Sequence, residues 1–256
     1  MEHIKNIEIP HGCLSAAKKP SKPLIPVPES AHRIHDSMVQ TLKELERSNS
    51  DSCLCNEFRE KHTFFLDLFM HYQNEIISTC SKNITCSRGC ACCCFHWVED
   101  VYSFEAEIIA DYLKTNRNDD IPGIIEQLRH DEAALIELDR VVDRTVSASP
   151  DTSGLSDNDR IDLLLACYYQ LKRPCPLLDT SGTCTIYPLR PLTCRTYVSF
   201  FNPRFCRPDI VEHEDSRTYV LNCEETASEI LDTLHFKYAR FSNDTGLRSL
   251  LLKYLE

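Results

Sequence analysis

The sequence predicts a mainly α-helical protein with one small irregular lobe that is rich in proline and cysteine. After residue 30, apolar residues recur at helical spacing over most of the chain, whereas residues 174–208 contain six prolines and lack that period. Glycine supplies only 6 of the 256 residues, and no glycine-rich phosphate-binding loop is present. The sequence therefore favours packed helices over a nucleotide-binding enzyme.

The strongest helix pattern lies in Glu57–Thr79, after a first helical segment at residues 31–48. One broad apolar stripe is formed there by Phe64, Phe65, Leu68, Phe69, Tyr72 and Ile76. We therefore expect this helix to pack on the core of the protein.

Further helices are predicted on the C-terminal side. Ser156 with Asp159 is typical of an N-cap, and Pro174 is expected to end the helix that starts there. Asp179–Gly182 carries a turn signal between two short β-prone pieces. The remaining helical patterns cover Ser103–Leu113, a longer helix from Pro122 through Val142, and two tail segments at Ile230–Tyr238 and Leu247–Tyr254.

The length of 256 residues allows one large domain or two small ones. Residues 1–30 combine five prolines with Lys18, Lys19 and Lys22, a composition that cannot bury enough apolar surface to order itself. We therefore predict a flexible arm at residues 1–30 and a single helical domain at residues 31–256.

Charge and hydropathy limit the partners. The net charge of −11 and the pI near 5.4 repel nucleic-acid phosphates, so we expect no nucleic-acid binding. No stretch approaches the roughly 18 apolar residues of a membrane span, and the first residues lack the apolar core of an export signal. We therefore expect no membrane association and a cytoplasmic location.

The cysteine content is the anomaly of the composition. Fifteen cysteines indicate either a disulfide framework in a secreted protein or metal ligation in a reducing compartment. The odd number and the run Cys92–Cys94 favour metal ligation, because neighbouring cysteines pair poorly within one compact disulfide scaffold. The thiols are therefore expected to be reduced.

The first cysteine set has helical spacing. Cys86, Cys90, Cys93 and Cys94 have the offsets that share one face of an α-helix, whereas Cys92 would project to the opposite side. Free cysteines also pack as small hydrophobic residues in cores, which would explain one or two of them. Four thiols on one stripe favour metal ligands, and adjacent Cys93 and Cys94 suit a cluster or two metals that share ligands.

A second cysteine set lies in the proline-rich stretch. Its members are Cys175, Cys184, Cys194 and Cys206. The stretch has too few apolar residues to order itself, and metal binding supplies folding free energy. We therefore predict that the two sets meet in space, with helices packed around one cysteine-ligated metal centre in the core at residues 86–206.

Three blocks of the chain together resemble a known family. They read Cys86-Ser-Arg-Gly-Cys90-Ala-Cys-Cys93-Cys94, then Cys175-Pro-Leu-Leu, then Cys184-Thr-Ile-Tyr-Pro-Leu-Arg-Pro-Leu-Thr-Cys194-Arg. This order matches CxxxCxxCC, CPxL and CxIYxxRPxxCR of the YkgJ-type cysteine-cluster proteins, which are zinc- or iron-chelating domains. A related domain occurs in flagellin lysine N-methylases, which implies that some members act on lysine side chains of proteins.

Other assignments remain open at this point. The spacing Cys86-x3-Cys90-x2-Cys93 also fits radical S-adenosylmethionine enzymes, but their repeated β/α units are missing here. His96 is a further ligand or a packed side chain. Cys53 and Cys55 resemble half of a metal site, but no partner pair lies near them in the sequence. Four further cysteines are interpreted as structural or surface thiols: Cys13, Cys80, Cys167 and Cys223.

Two arginines and a tyrosine accompany the second set. Arg190 and Arg195 flank Cys194 and would offset thiolate charge, bind a carboxylate or form ordinary ion pairs. Tyr187 would donate a hydrogen bond to a sulfur or simply pack.

The function predicted from these observations is cysteine-ligated binding of iron, an iron–sulfur cluster or zinc. One hypothesis is a metalloenzyme that acts on protein side chains, with a protein as partner or substrate. The alternative is a zinc-stapled helical interaction module without catalysis.

Overall fold

Eight α-helices and one two-stranded sheet form the regular structure in the part of the chain that the computed structural model describes, which is residues 27–80, 84–87, 89–148, 156–200, 202–203, 206, 218–241 and 246–256. The helices are α1 (Glu29–Arg47), α2 (Asn56–Ser78), α3 (Ser103–Asn116), α4 (Ile121–Ala148), α5 (Asp157–Gln170), α6 (Thr193–Thr196), α7 (Glu225–Tyr238) and α8 (Leu247–Leu255). The prediction of a mainly α-helical protein is therefore confirmed.

The sheet is small and lies next to the cysteine segments. Strands β1 (Tyr197–Ser199) and β2 (Thr218–Val220) pair antiparallel, with Tyr197 opposite Val220. Short 3-10 turns occur at Cys92–Phe95, Asn118–Asp120 and Tyr187–Leu189.

Most predicted helix bounds agree with the structure within a few residues, but α4 continues to Ala148 and α7 already begins at Glu225. Ser156 caps α5 as expected, because its hydroxyl accepts a hydrogen bond from the Asp159 N–H. The first helix begins at Glu29, inside the predicted arm, and residues 1–26 of that arm lie outside the described residues. The division into an arm and one domain stays a prediction.

The buried face of α2 differs in detail from the predicted stripe. Phe65, Phe69 and Tyr72 are buried, but the Phe64 side chain is 55% exposed. A strict four-residue spacing drifts by about 40° per step around a helix. Phe64 therefore falls beyond the edge of the face that its later neighbours share.

Three hydrophobic cores hold the helices together. The first joins α1, α2 and α7 with part of α3, and Phe58 contacts the rings of Phe104 and Tyr238 at centroid distances of 5.6 and 5.0 Å. The second joins α3, the first half of α4 and α8. The third joins the second half of α4 with α5.

One or two buried apolar side chains attach the cysteine segments to each of the three cores. Leu192 is buried in the first core, Leu177 and Ile186 in the second, and Trp97 in the third. The irregular segments are thereby fixed between helices that bury their own apolar faces.

Candidate metal centre

Residues 84–87 and 89–95 do not form the predicted α-helix. The N–H of Thr85 donates to the carbonyl of Ser199 at 2.8 Å, so the chain first runs alongside β1. The N–H of Cys90 then donates to the carbonyl of Ser87 at 2.9 Å, and Gly89 adopts φ 88°. A left-handed residue cannot continue a right-handed helix, and glycine adopts it at no steric cost. The expectation of one helical face for four thiols is therefore wrong.

Cys92 is also placed differently from the expectation. Its thiol donates a hydrogen bond to Cys90, and it lies in electrostatic range of Cys93 and Cys206. The helical argument that turned Cys92 away from the other thiols fails together with the helix.

The second cysteine set begins at a small hairpin. Leu178 and Cys184 form an antiparallel bridge, and the N–H of Thr185 donates to the carbonyl of Leu177 at 2.8 Å. The predicted turn at Asp179–Gly182 connects the two sides, with φ 78° at Gly182 and the Asp179 carboxylate accepting the N–H of Ser181 at 2.8 Å. This hairpin brings Cys184 back towards Cys175.

Backbone contacts join the two cysteine sets. The N–H of Cys175 donates to the carbonyl of Cys94 at 2.8 Å. Ser199 joins the other end of each set, because its N–H donates to Cys86 Sγ at 3.3 Å and its hydroxyl hydrogen-bonds the thiol of Cys206. Segments that are about 100 residues apart in sequence therefore lie side by side.

Cys93 interacts with thiols of both cysteine sets. It is in electrostatic range of seven other cysteines: Cys86, Cys92, Cys94, Cys175, Cys184, Cys194 and Cys206. Cys90 interacts in the same way with Cys86 and Cys206. All eight sequence-predicted site cysteines thus occupy one region.

Comparison with family models gives a match over residues 85–224, which is more than half of the chain. The matching model is named CxxCxxCC and is described as a "Putative zinc- or iron-chelating domain". The chain belongs to this family. The suspected resemblance is confirmed, and the match supports metal binding with zinc or iron as the metal. Neither the curated proteins nor the solved structures contain a match to the chain.

Most cysteines of the CxxCxxCC domain have raised pKa values and therefore favour the neutral thiol. Burial raises the pKa of each thiol in this group, and neighbouring thiolates raise it further: Cys86, Cys92, Cys175, Cys184, Cys194 and Cys206. Cys93 is different, because a hydrogen bond donated by Cys94 lowers its pKa and raises that of Cys94.

Arg190 is the basic residue of the family motif that faces the thiols. Its guanidinium lies 4.1 Å from the centroid of the Tyr187 ring and favours the ionised forms of Cys86 and Cys93. Its Nε atom is buried and has no hydrogen-bond partner among the described residues. Arg190 therefore offsets thiolate charge, one of the roles expected for it.

Arg195 has a structural role instead. Its Nε donates to the carbonyl of Arg190 at 2.9 Å, and a second nitrogen donates to the carbonyl of Pro188 at 2.7 Å. These bonds hold the loop before α6 in shape.

The donor chemistry of the domain fits zinc or iron. Thiolates are the preferred ligands of both ions in cysteine-rich sites. A bound cation would lower the pKa values of the thiols and so outweigh the effects of burial and of neighbouring thiolates, which raise them. Among the described residues, no three cysteine, histidine or carboxylate side chains are already arranged around a single point as metal ligands. The two cysteine sets are brought side by side, and binding of an ion would have to draw their thiols into one ligand shell.

His96 is bonded elsewhere. Its Nε2 lies 3.1 Å from the carbonyl oxygen of Cys206, and its ring lies 4.6 Å from that of Tyr169. Burial lowers the pKa of His96. The ring of His96 therefore connects the end of the first cysteine set to the end of the second. These contacts favour the interpretation of His96 as a packed side chain rather than a metal ligand.

The cysteines outside the two sets have local contacts. Cys53 donates to the buried Glu107 carboxylate at 3.2 Å, and Cys55 caps α2 by accepting the N–H of Phe58. Cys167 is buried in the third core, and burial raises the pKa of Cys223 to about 12. Cys13 lies outside the described residues.

Sequence reasoning missed the residues that support the centre from a distance. Ser199 bonds both cysteine sets, and the buried Glu105 carboxylate of α3 accepts the N–H of Leu192 at 2.7 Å. Asp131 and Arg248 form a buried ion pair. A serine in a strand and charges on helices give no sequence signal of this role, because their partners lie far away in the sequence and only the fold brings them together.

No helix in the described parts of the chain is long and apolar enough to cross a membrane.

Proposed function

We propose that this protein binds zinc or iron in one centre assembled from both cysteine sets. The observation that carries the proposal is the direct contact between the two sets: the N–H of Cys175 donates to the carbonyl of Cys94 at 2.8 Å, and the N–H of Ser199 in β1 donates to Cys86 Sγ at 3.3 Å. The proposed donors are Cys86, Cys90, Cys93, Cys94, Cys175, Cys184, Cys194 and Cys206.

Cys92 joins this set as a ninth donor. Its thiol hydrogen-bonds Cys90, and nothing in the turn at Cys92–Phe95 directs it away from the other thiols. A single zinc ion takes four ligands, so nine thiols exceed the need of one ion. The donor number therefore favours two metals that share thiolates, or an iron–sulfur cluster.

One side of the centre is open to solvent. Cys86 and Cys93 are exposed, whereas the other thiols of the two sets are partly covered. An accessible metal exchanges ligands, as catalysis or metal handling requires, whereas a structural metal is enclosed. This exposure favours a working metal over a purely structural one.

The finer proposal is a metalloenzyme that acts on protein side chains. A bound metal there would supply a Lewis acid or an electron carrier at the open side. This chain would contribute Arg190, whose positive charge favours bound thiolates, and the thiols that hold the metal. The proposed location is the cytoplasm, because thiolate ligands must stay reduced.

The second candidate is a zinc-stapled interaction module. The observation that favours it is the small number of apolar anchors that attach the cysteine segments to the packed helices, because a bound zinc ion would supply the missing folding free energy. In that case the metal would only hold the cysteine segments on the helices.

The experiment is anaerobic purification under reducing conditions, followed by elemental analysis and a visible absorption spectrum. We expect stoichiometric zinc or iron; broad visible absorption with acid-labile sulfide would identify an iron–sulfur cluster. Metal exchange with a radiolabelled ion then separates the two functions, because an open centre exchanges in minutes and a closed staple does not. Metal-free protein with unchanged melting behaviour would refute the proposal.

A further inference from the structure

A buried carboxylate on α4 binds two arginines. Asp131 is fully buried, and its two oxygens accept Arg173 Nη1 and Arg248 Nε, each at 3.0 Å. Arg248 is only 1% exposed, which is unusual for a charged side chain outside a functional site. The ion pair lies beside the cysteine segments.

From Asp131, two short paths lead to the two cysteine sets. Arg173 precedes Cys175 by two residues in the chain. Arg248 Nη1 donates to the carbonyl of His96 at 2.9 Å, two residues after Cys94. Because the N–H of Cys175 also bonds the carbonyl of Cys94, the paths close into a ring of contacts around one carboxylate.

The first residues of α8 fix the same segment at two more points. The N–H of Leu247 donates to the carbonyl of Val98 at 2.9 Å. A side chain at Gly246 would place its Cβ 2.9 Å from Nε1 of Trp97, so only glycine permits this approach. Each of the residues 246–248 thus contacts one residue of the segment 96–98.

Two aromatic rings also hold the guanidinium of Arg248. It lies 5.5 Å from the Trp97 ring and 5.3 Å from the Tyr168 ring. Its Nη2 is buried without a hydrogen-bond partner among the described residues. Asp131, the carbonyl of His96 and the two rings therefore fix the position of this one arginine.

We propose that Asp131 and Arg248 are positioning residues of the metal centre, holding Cys94 and Cys175 in register so that their thiols meet the same metal. This inference rests on the proposed function. It also means that the metal centre needs a residue outside the family domain at residues 85–224, because Arg248 in α8 lies beyond that match.

The experiment measures zinc affinity by competition with a chromogenic chelator, and the spectrum of the cobalt-substituted protein. Arg248→Lys keeps the charge but cannot bond Asp131 and His96 together in the same planar geometry. Residues that orient metal ligands typically change metal affinity by about 10–100-fold, and we expect a loss in this range with altered sulfur-to-cobalt charge-transfer bands.

Two further variants keep the test decisive if Arg248→Lys folds poorly. Asp131→Leu with Arg248→Met replaces the buried ion pair by apolar side chains, which preserves folding in other buried pairs but removes the bond to His96. Gly246→Ala pushes α8 away from Trp97 while leaving both charges in place. Both are expected to weaken zinc binding.

The matched control is Arg160→Gln. Arg160 of α5 pairs with Asp139 and Asp143, which lie on α4 like Asp131, and these ion pairs involve no residue of the described cysteine segments. Its zinc affinity and cobalt spectrum should equal those of the unaltered protein. Affinities and spectra unchanged in all three test variants would overturn the positioning role, whereas absence of zinc binding in the unaltered protein would refute the proposed function itself.

Discussion

The helical scaffold and the cysteine segments of this protein are stabilised in different ways. In the scaffold, α1, α2 and α7 bury side chains such as Phe65, Phe69 and Leu234 completely. In their described residues, the cysteine segments at residues 84–97 and 174–206 have four buried anchors in the cores, two further buried apolar side chains at Val198 and Phe200, and otherwise hydrogen bonds. Burial of apolar area stabilises the scaffold, whereas the segments have little of it.

This difference indicates where a metal contributes folding free energy. A segment with few apolar contacts cannot offset the conformational entropy that it loses on ordering. Thiolate–metal bonds would supply that free energy in the cysteine segments and would matter little to helices that are already packed. The following predictions test this division, from the largest expected effect to the smallest.

Metal removal should have the largest effect. Stripping the protein with a strong chelator under reducing conditions should abolish the protection of residues 84–97 and 174–200 in hydrogen exchange, because structural zinc contributes on the order of 10 kcal/mol in small metal-dependent folds. Helices α1 and α2 should keep their protection. Equal loss of protection in α2 would contradict the division into two regions.

The same division explains what the sequence predicts well and what it does not. Helices such as α2 and α5 follow from apolar periodicity and from the Ser156 cap, since these signals act within one segment. The path of residues 84–95 does not follow from spacing, because helical offsets at Cys86–Cys94 ignore the left-handed conformation of Gly89. The meeting of the two cysteine sets follows from a proline-rich stretch that has too few apolar residues to order itself, but the support by Ser199 depends on a strand 113 residues after Cys86.

Single cysteine substitutions should differ in size according to position. Cys93→Ser should lower metal content most, because Cys93 interacts with seven other cysteines. Cys92→Ser should also lower it, since its thiol bonds Cys90. Elemental analysis of proteins purified anaerobically provides the measurement.

The matched control for these substitutions is Cys80→Ser. Cys80 lies just after α2, and its thiol is 3.9 Å from the carbonyl of Ile76. Its metal content should be that of the unaltered protein. A normal metal content in Cys92→Ser would remove Cys92 from the donor set and leave the eight other cysteines.

A substitution in the helical core should lower stability and leave the metal content unchanged. Phe69→Ala in α2 should reduce the free energy of unfolding by about 3–5 kcal/mol, because it leaves a cavity in the first core. Metal content should stay unchanged in the protein that remains folded. Phe64→Ala on the exposed side of the same helix should cost less than about 0.5 kcal/mol, and denaturant titration compares the two.

The smallest expected effect is a pH dependence within the scaffold. Nδ1 of His235 in α7 accepts the N–H of Ser103 at the start of α3, at 2.9 Å, so this bond requires a neutral ring. Burial lowers the pKa of His235, against a weaker opposing effect of Asp232. Its contribution to stability is therefore complete above the unfolded-state pKa of about 6.5 and is lost as the pH falls from there towards the folded-state pKa.

The contribution of this bond should be about 1 kcal/mol, typical of one hydrogen bond. His235→Gln provides the comparison, because its amide oxygen accepts a hydrogen bond but does not titrate between pH 7 and pH 5. Denaturant titrations of both proteins across that range should diverge, with the unaltered protein losing stability relative to the variant. Parallel curves would mean that the contact between α3 and α7 does not depend on the protonation of His235.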